Sequence, residues 1–220
     1  DELWPPDVHM IAKDILRHHA VYWPIMLKSV GLPLPRTIFA HGWWKMGEEK
    51  MSKSKGNVVE PVALAEEYGV DPVRYFVLKA VSLGQDGMFS EDALVNTYNT
   101  DLANDMGNLL NRTLTMVEKY FDGVSPEAPA SSGDDAQDER SENLRKSGLE
   151  DLISRVKARL SPEKLQIREA LEEIMQVIGK ANKYIEESAP WEHAKAGNQE
   201  AIKLIMADLL EGLMKTAMGI

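Results

Sequence analysis

The eight residues KMSKSKGN, positions 50–57, bring three lysines, two serines and a Gly-Asn pair together just after the apolar, aromatic run TIFAHGWWKM. Ammonium groups and hydroxyls at this density fit two descriptions. One is a solvated surface turn, because Gly and Asn make turns and Lys is an ordinary surface residue. The other is a mobile loop that grips phosphate, with Lys50 and Lys53 as point charges and Ser52, Ser54 and backbone N–H groups as further donors. A second pair with chemistry in it is Asn108 and Arg112. Four residues apart on a helix, they share one face. That pairing fits a surface hydrogen bond between them, and equally an amide and a guanidinium presented to one partner. Trp191, in SAPWEHA, reads as a plug in a helix corner or as an exposed aromatic platform.

Composition narrows the classes. The chain has 220 residues, 44% hydrophobic and 27% charged, which is the balance of an ordinary globular protein with one large core or two modest ones. No apolar run approaches the roughly 18 residues of a membrane helix, so no membrane partner is expected. There is no cysteine, which rules out disulfides and thiolate metal sites within the chain; no metal ligand set is assigned. The opening DELWPPDVHM has no initiator Met and no signal region, and reads as the middle of a longer protein. A net charge of −10 argues against a nucleic-acid partner, DNA included, because phosphate binding favours basic surfaces. The charge is uneven, however. Residues 36–57 carry five basic and two acidic residues, while residues 134–142 carry five acids and one Arg.

The elements that must position these residues are readable from pattern. DVHMIA and TIFAHG are apolar strand candidates, and Asp14 to Val30 between them has helical spacing interrupted by Pro24. That order predicts a βαβ unit with parallel strands and a kinked or divided helix. The lysine octapeptide then lies beyond the strand end, where open α/β folds bind ligands. From Pro61 onward the pattern is helical. EPVALAEEYG runs from Pro at its first position to a Gly stop; DPVRYFVLKAVSLG repeats the design with Asp71 as N-cap and Gly84 as stop. Ser90 caps a helix of about 30 residues with a break near Gly107. Residues 124–142 are Pro-, Ser- and acid-rich, a flexible insertion. Ser161 and Pro162 open the next helix, with Leu171, Ile174, Ile178, Ala181 and Ile185 as its buried stripe, and a last helix closes the chain. The expected fold class is mixed: an α/β remnant of a Rossmann-type domain over residues 1–57, a helical connecting segment over 58–100, and an all-α bundle over 101–220.

KMSKS beyond an α/β strand, followed by FSEDALVNTYNTDLANDMGNLLNR and the downstream APW, resembles the class I aminoacyl-tRNA synthetases, in particular their methionine branch. The resemblance covers essentially the whole chain. It implies ATP-dependent activation of methionine to methionyl-adenylate, ATP entering with Mg²⁺, and transfer of the methionyl group to tRNA(Met) in the cytoplasm. It also implies what is missing: the family's His-x-Gly-His motif and zinc knuckle are absent from this sequence, so the chain begins in the second half of the catalytic domain. The isolated chain is therefore expected to be inactive. By resemblance, Lys53 contacts ATP phosphates, with Lys50, Ser52 and Ser54 beside it. Asp14 and His9 match positions near ATP, although Ala12 stands where the family has Gly; Asp14 is equally well placed as a helix N-cap. His19 matches a position lining the methionine pocket, and Tyr22 reads as core. Asn108 and Arg112 match positions opposite the first anticodon base, and Trp191 matches a base-stacking platform. Two rivals stand beside this reading: another class I synthetase, such as a leucyl, isoleucyl, valyl or cysteinyl enzyme, and a non-catalytic RNA-binding module.

Overall fold

A computed structural model describes residues 4–47, 49–51, 58–127 and 149–219. The chain divides into two compact units, one of residues 1–96 with 158–169, the other of residues 97–157 with 170–220.

The first unit opens with strand β1 (Val8–Ala12). A helical run follows: a 3-10 turn at Lys13–Ile15, a π-helical turn at His18–Tyr22, and helix α1 (Trp23–Ser29). Strand β2 (Thr37–His41) returns parallel to β1, with Val8 opposite Thr37 and Ala12 opposite His41. This is the expected βαβ unit. Pro24 does not divide the helix in two. It sits where the winding changes from π to α, a place where its missing N–H breaks no established ladder. β3 (Trp44–Met46) lies between β4 (Glu49–Lys50), antiparallel to it, and β5 (Gly87–Met88), parallel to it.

Helix α2 (Pro61–Tyr68) has Pro at its start and stops at Gly69, whose φ of 91° suits a residue without Cβ. Helix α3 (Val70–Ala80) differs from expectation. Gly69 is its N-cap, so Asp71 lies inside the first turn, and Val81 returns to extended backbone before Gly84 is reached. Helix α4 (Glu91–Thr97) is capped by Ser90, whose Oγ accepts a hydrogen bond from the Ala93 N–H at 3.3 Å. Leu64, Val73, Phe76 and Leu94 make this unit's helical core, with Trp44 and Phe89 packed on it.

Most of the second unit's described residues are helical; residues 158–169, which fall in this stretch of chain, belong to the first unit. A π-helical segment (Tyr98–Gly107) leads into α5 (Asn108–Phe121). Then come α6 (Leu152–Arg159), α7 (Ile167–Ser188), α8 (Pro190–Lys195) and α9 (Gln199–Gly219). Helix α7 starts five residues later than Ser161 as N-cap and Pro162 as first helical residue suggest. Residues 161–164 form a turn of their own and Leu165 has a φ of 47°, so the helix begins afresh at Ile167. Ile174, Ile178, Ala181 and Ile185 are buried as the stripe requires, and Leu171 packs at the edge of the same core. Leu109, Leu152, Ile202, Met206 and Leu209 complete it. The turn into α8 passes through Ala189, at φ 44°, before Pro190.

Candidate functional site

Three groups of residues are brought together, two in the first unit and one in the second. The first lies along β1 and the helical run after it. An open cleft of about 770 Å³ is lined by Val8–Ile11, His18, His19, Tyr22, Trp23 and Met26. His9 and His19 meet ring to ring, 6.3 Å apart and nearly perpendicular, and Trp4 meets both His9 and Trp23 at 6.1 Å. The His19 Nδ1 lies 3.0 Å from the Ile15 carbonyl. A carbonyl only accepts, so Nδ1 carries a hydrogen and Nε2 is the nitrogen left for a further partner. His9 Nδ1 is buried and has no hydrogen-bond partner among the described residues. Tyr22 is 48% exposed on this cleft. The expectation that it is core is corrected: the π-helical turn points it outward, against His18 at 5.7 Å.

The second group closes the C-terminal end of β1. Lys13 hydrogen-bonds the Asp86 carboxylate and lies 4.1 Å above the Trp43 ring. Lys45 reaches the other oxygen of Asp86 at 3.0 Å, and the Trp43 N–H donates to Asp86 at 3.0 Å. The Trp43 indole N–H faces Asp14 at 3.5 Å. Foremost the Lys13 hydrogen bond, then the Trp43 N–H and Lys45, hold the Asp86 carboxyl well below the usual carboxylate range. Asp14 lies inside the 3-10 turn and does not cap it; Ala12 occupies the cap position in extended backbone.

The third group is a shallow cleft of about 330 Å³ between α5, the π-helical segment before it, and α7. Asn104, Asp105, Asn108, Arg112, Asn182 and Glu186 line it. Arg112 pairs with Glu186 at 2.7 Å, so its ion pair runs across to α7. The Asn182 amide N–H donates to the Asp105 carbonyl at 2.9 Å, and its carbonyl oxygen is buried without a hydrogen-bond partner among the described residues. Such an arrangement offers amide and guanidinium groups on one wall, the donor and acceptor types that read a base edge. Trp191, in the first turn of α8, is half-buried against the core of this unit.

The family model for tRNA synthetases class I (M) matches residues 2–114. The chain belongs to that family. Methionine–tRNA ligase of Caldanaerobacter subterraneus subsp. tengcongensis is 48% identical over 211 residues, covering 96% of this chain and 32% of that protein. The Bacillus subtilis methionine–tRNA ligase is 46% identical over 215 residues, or 97% of this chain and 31% of its own length. Among solved structures, Mycobacterium tuberculosis methionyl-tRNA synthetase in complex with methionyl-adenylate superposes with a TM-score of 0.89 at 43% identity, over 99% of this chain and 42% of that one. The apo form of the same protein gives 0.85. This class I synthetase chain thus spans about a third of the length of the curated relatives it matches.

Within the family fold, the sequence candidates fall as follows. His9 and His19 share the first cleft, and Asp14 lies beside Trp43 in the second group. Asn108 and Arg112 share the third cleft; Trp191 is absent from its lining. Lys50 belongs to β4 by its backbone, and Ser52, Lys53 and Ser54 lie outside the described residues, as do residues 128–142 of the acidic insertion. Among the described residues no group of three His, Cys, Asp or Glu converges as a metal site, and no helix is long and apolar enough to cross a membrane. Pattern reading missed Asp86, Lys45, Lys13 and Trp43 as one group. The signal available was faint: a lone acid between two glycines in LGQDGMF.

Proposed function

We propose that this chain is part of a methionine–tRNA ligase, contributing the phosphate-gripping lysine loop and the anticodon contacts. The observation that carries the reading is the likeness over 99% of the chain to a methionyl-tRNA synthetase that binds methionyl-adenylate. In this reading ATP, with Mg²⁺, and methionine meet at the first unit. The methionine carboxylate attacks the α-phosphate in line, pyrophosphate leaves, and the charge on the transferring and departing groups is met by Lys53 and Lys50 with the hydroxyls of Ser52 and Ser54. His9 and Asp14 serve ATP. His19, whose ring is oriented by the Ile15 carbonyl, lines the methionine pocket, where soft apolar neighbours suit a thioether. The acyl group then passes to tRNA(Met). Asn108 and Arg112 read the first anticodon base and Trp191 stacks on it. The protein works in the cytoplasm, where tRNA is charged.

The experiment is aminoacylation by the full-length protein, using methionine tRNA transcripts with each of the four bases at the first anticodon position. Charging of the natural transcript at least roughly a hundredfold above the other three supports the reading, since base-edge contacts discriminate by about 1–3 kcal/mol each. Charging that ignores this base would remove the anticodon role.

A further inference from the structure

We propose that Asp86 is a positioning residue for the ATP-dependent step. One carboxylate holds the ammonium groups of Lys13 and Lys45 and so ties β3, the strand that leads toward the lysine octapeptide, to the end of β1. The inference rests on the proposed function and adds a residue outside the motifs that suggest it.

Sequence distance makes this a tertiary device. Asp86 is 73 residues from Lys13 and 43 from Trp43. Its backbone is pinned on both sides. The Gly87 N–H donates to the Trp43 carbonyl at 2.8 Å and the Phe89 N–H to the Lys45 carbonyl at 2.9 Å, as β5 runs beside β3. Upstream, the Gln85 N–H closes a turn onto Ser82 at 3.1 Å. The approach is so close that a Cβ on Gly42 would fall 1.9 Å from the Gln85 carbonyl oxygen, and one on Gly87 would fall 2.2 Å from Val81. The Asp86 side chain therefore starts from a fixed root. It is 25% exposed and fully engaged: one oxygen takes Lys13 and the Trp43 N–H, the other takes Lys45.

Two ammonium groups held on one carboxylate would repel each other without it. Each has three donors and spends one on Asp86, so each keeps donors for an anion, and the side chains remain 37% and 34% exposed. The chemical class that fits is the polyphosphate of a nucleoside triphosphate, since the group sits at the strand end where such ligands enter α/β folds. Asp86 itself touches no reacting atom in this account. It acts through the lysines and through the placement of β3.

The test uses the full-length protein carrying Asp86→Asn or Asp86→Glu. Methionine-dependent exchange of pyrophosphate into ATP gives kcat and KM, and the thermal midpoint is recorded for each variant. Asp86→Asn is expected to lower kcat roughly tenfold or more with the KM for methionine within about twofold, because a mispositioned charge is felt mainly in the transition state. Asp86→Glu should recover most of the loss, as it restores the charge. A kcat within about twofold of the unaltered protein overturns the inference. So does a loss that parallels the thermal midpoint and is not recovered by Asp86→Glu. If the unaltered protein shows no methionine-dependent exchange, it is the proposed function that fails. A second readout needs no activity: Asp86→Asn should move the backbone amide resonance of Trp43, which Asp86 accepts, and an unmoved resonance counts against Asp86 as the holder of the group.

Discussion

At the residue scale, the proposed function has Lys53 acting on phosphates and Trp191 on a base. Lys53→Ala in the full-length protein should reduce adenylate formation by at least about tenfold, because a charge-assisted hydrogen bond is worth roughly 1.5–3 kcal/mol. Methionine binding should change far less. An unchanged pyrophosphate-exchange rate would remove Lys53 from the mechanism. Trp191 tests the other half. It is half-buried on the core of the second unit, so removal has two possible signatures. As a stacking platform, Trp191→Ala should weaken tRNA charging by roughly 1–3 kcal/mol and leave adenylate formation intact. As a plug, it should cost about 3–5 kcal/mol of stability, and both reactions should fall with the thermal midpoint. Asp86 supplies a pH prediction. Its folded-state carboxyl is held below its unfolded value of 3.8, first by Lys13. A depressed acid contributes stability that is present above the unfolded value and lost only as pH falls toward the folded one. The Asp86 carboxyl resonance should therefore stay flat from about pH 7 down through 3.8, and a midpoint at or above 3.8 would contradict the ion-pair assignment.

At the element scale the strand ends are what the fold guards most closely. Gly42 lets residues 85–87 approach β3, and an added Cβ would meet the Gln85 backbone at 1.9 Å. Gly42→Ala should destabilise by about 1–3 kcal/mol, the usual cost of overpacking. A thermal midpoint equal to that of the parent would show that the loop yields. Local signals made much of this architecture legible. β1 and β2, the parallel order, the Pro start and Gly stop of α2, and the Ser90 cap all follow from residues within a few positions of the event they control. Where two local signals competed, the sequence was ambiguous. Asp71 and Pro72 look like a helix start, but Gly69 at φ 91° already supplies one two residues earlier. Ser161 and Pro162 look like another, but the turn they begin ends at Leu165. Of the candidate sites, the histidine cleft and the Asn108–Arg112 face were visible in the spacing or in a family resemblance. The Lys13–Lys45–Asp86 group was not, because no local pattern reveals a partner 73 residues away.

At the scale of the molecule, the first unit holds the histidine cleft and the Lys13–Lys45–Asp86 group, and the second holds the cleft with Asn108 and Arg112, each unit with its own core. The chain spans about a third of its curated relatives, so activation of methionine is a property proposed for the full-length protein. This chain alone should give no methionine-dependent exchange, because its sequence contains no His-x-Gly-His, the motif that by family resemblance belongs to the catalytic site. The one measurement that bears most directly on the account is pyrophosphate exchange into ATP by the full-length protein, with each amino acid supplied singly. The account predicts exchange that requires methionine, and at most a small fraction of that rate with leucine, isoleucine, valine or cysteine. Exchange driven by one of those four, or none with methionine, would contradict it.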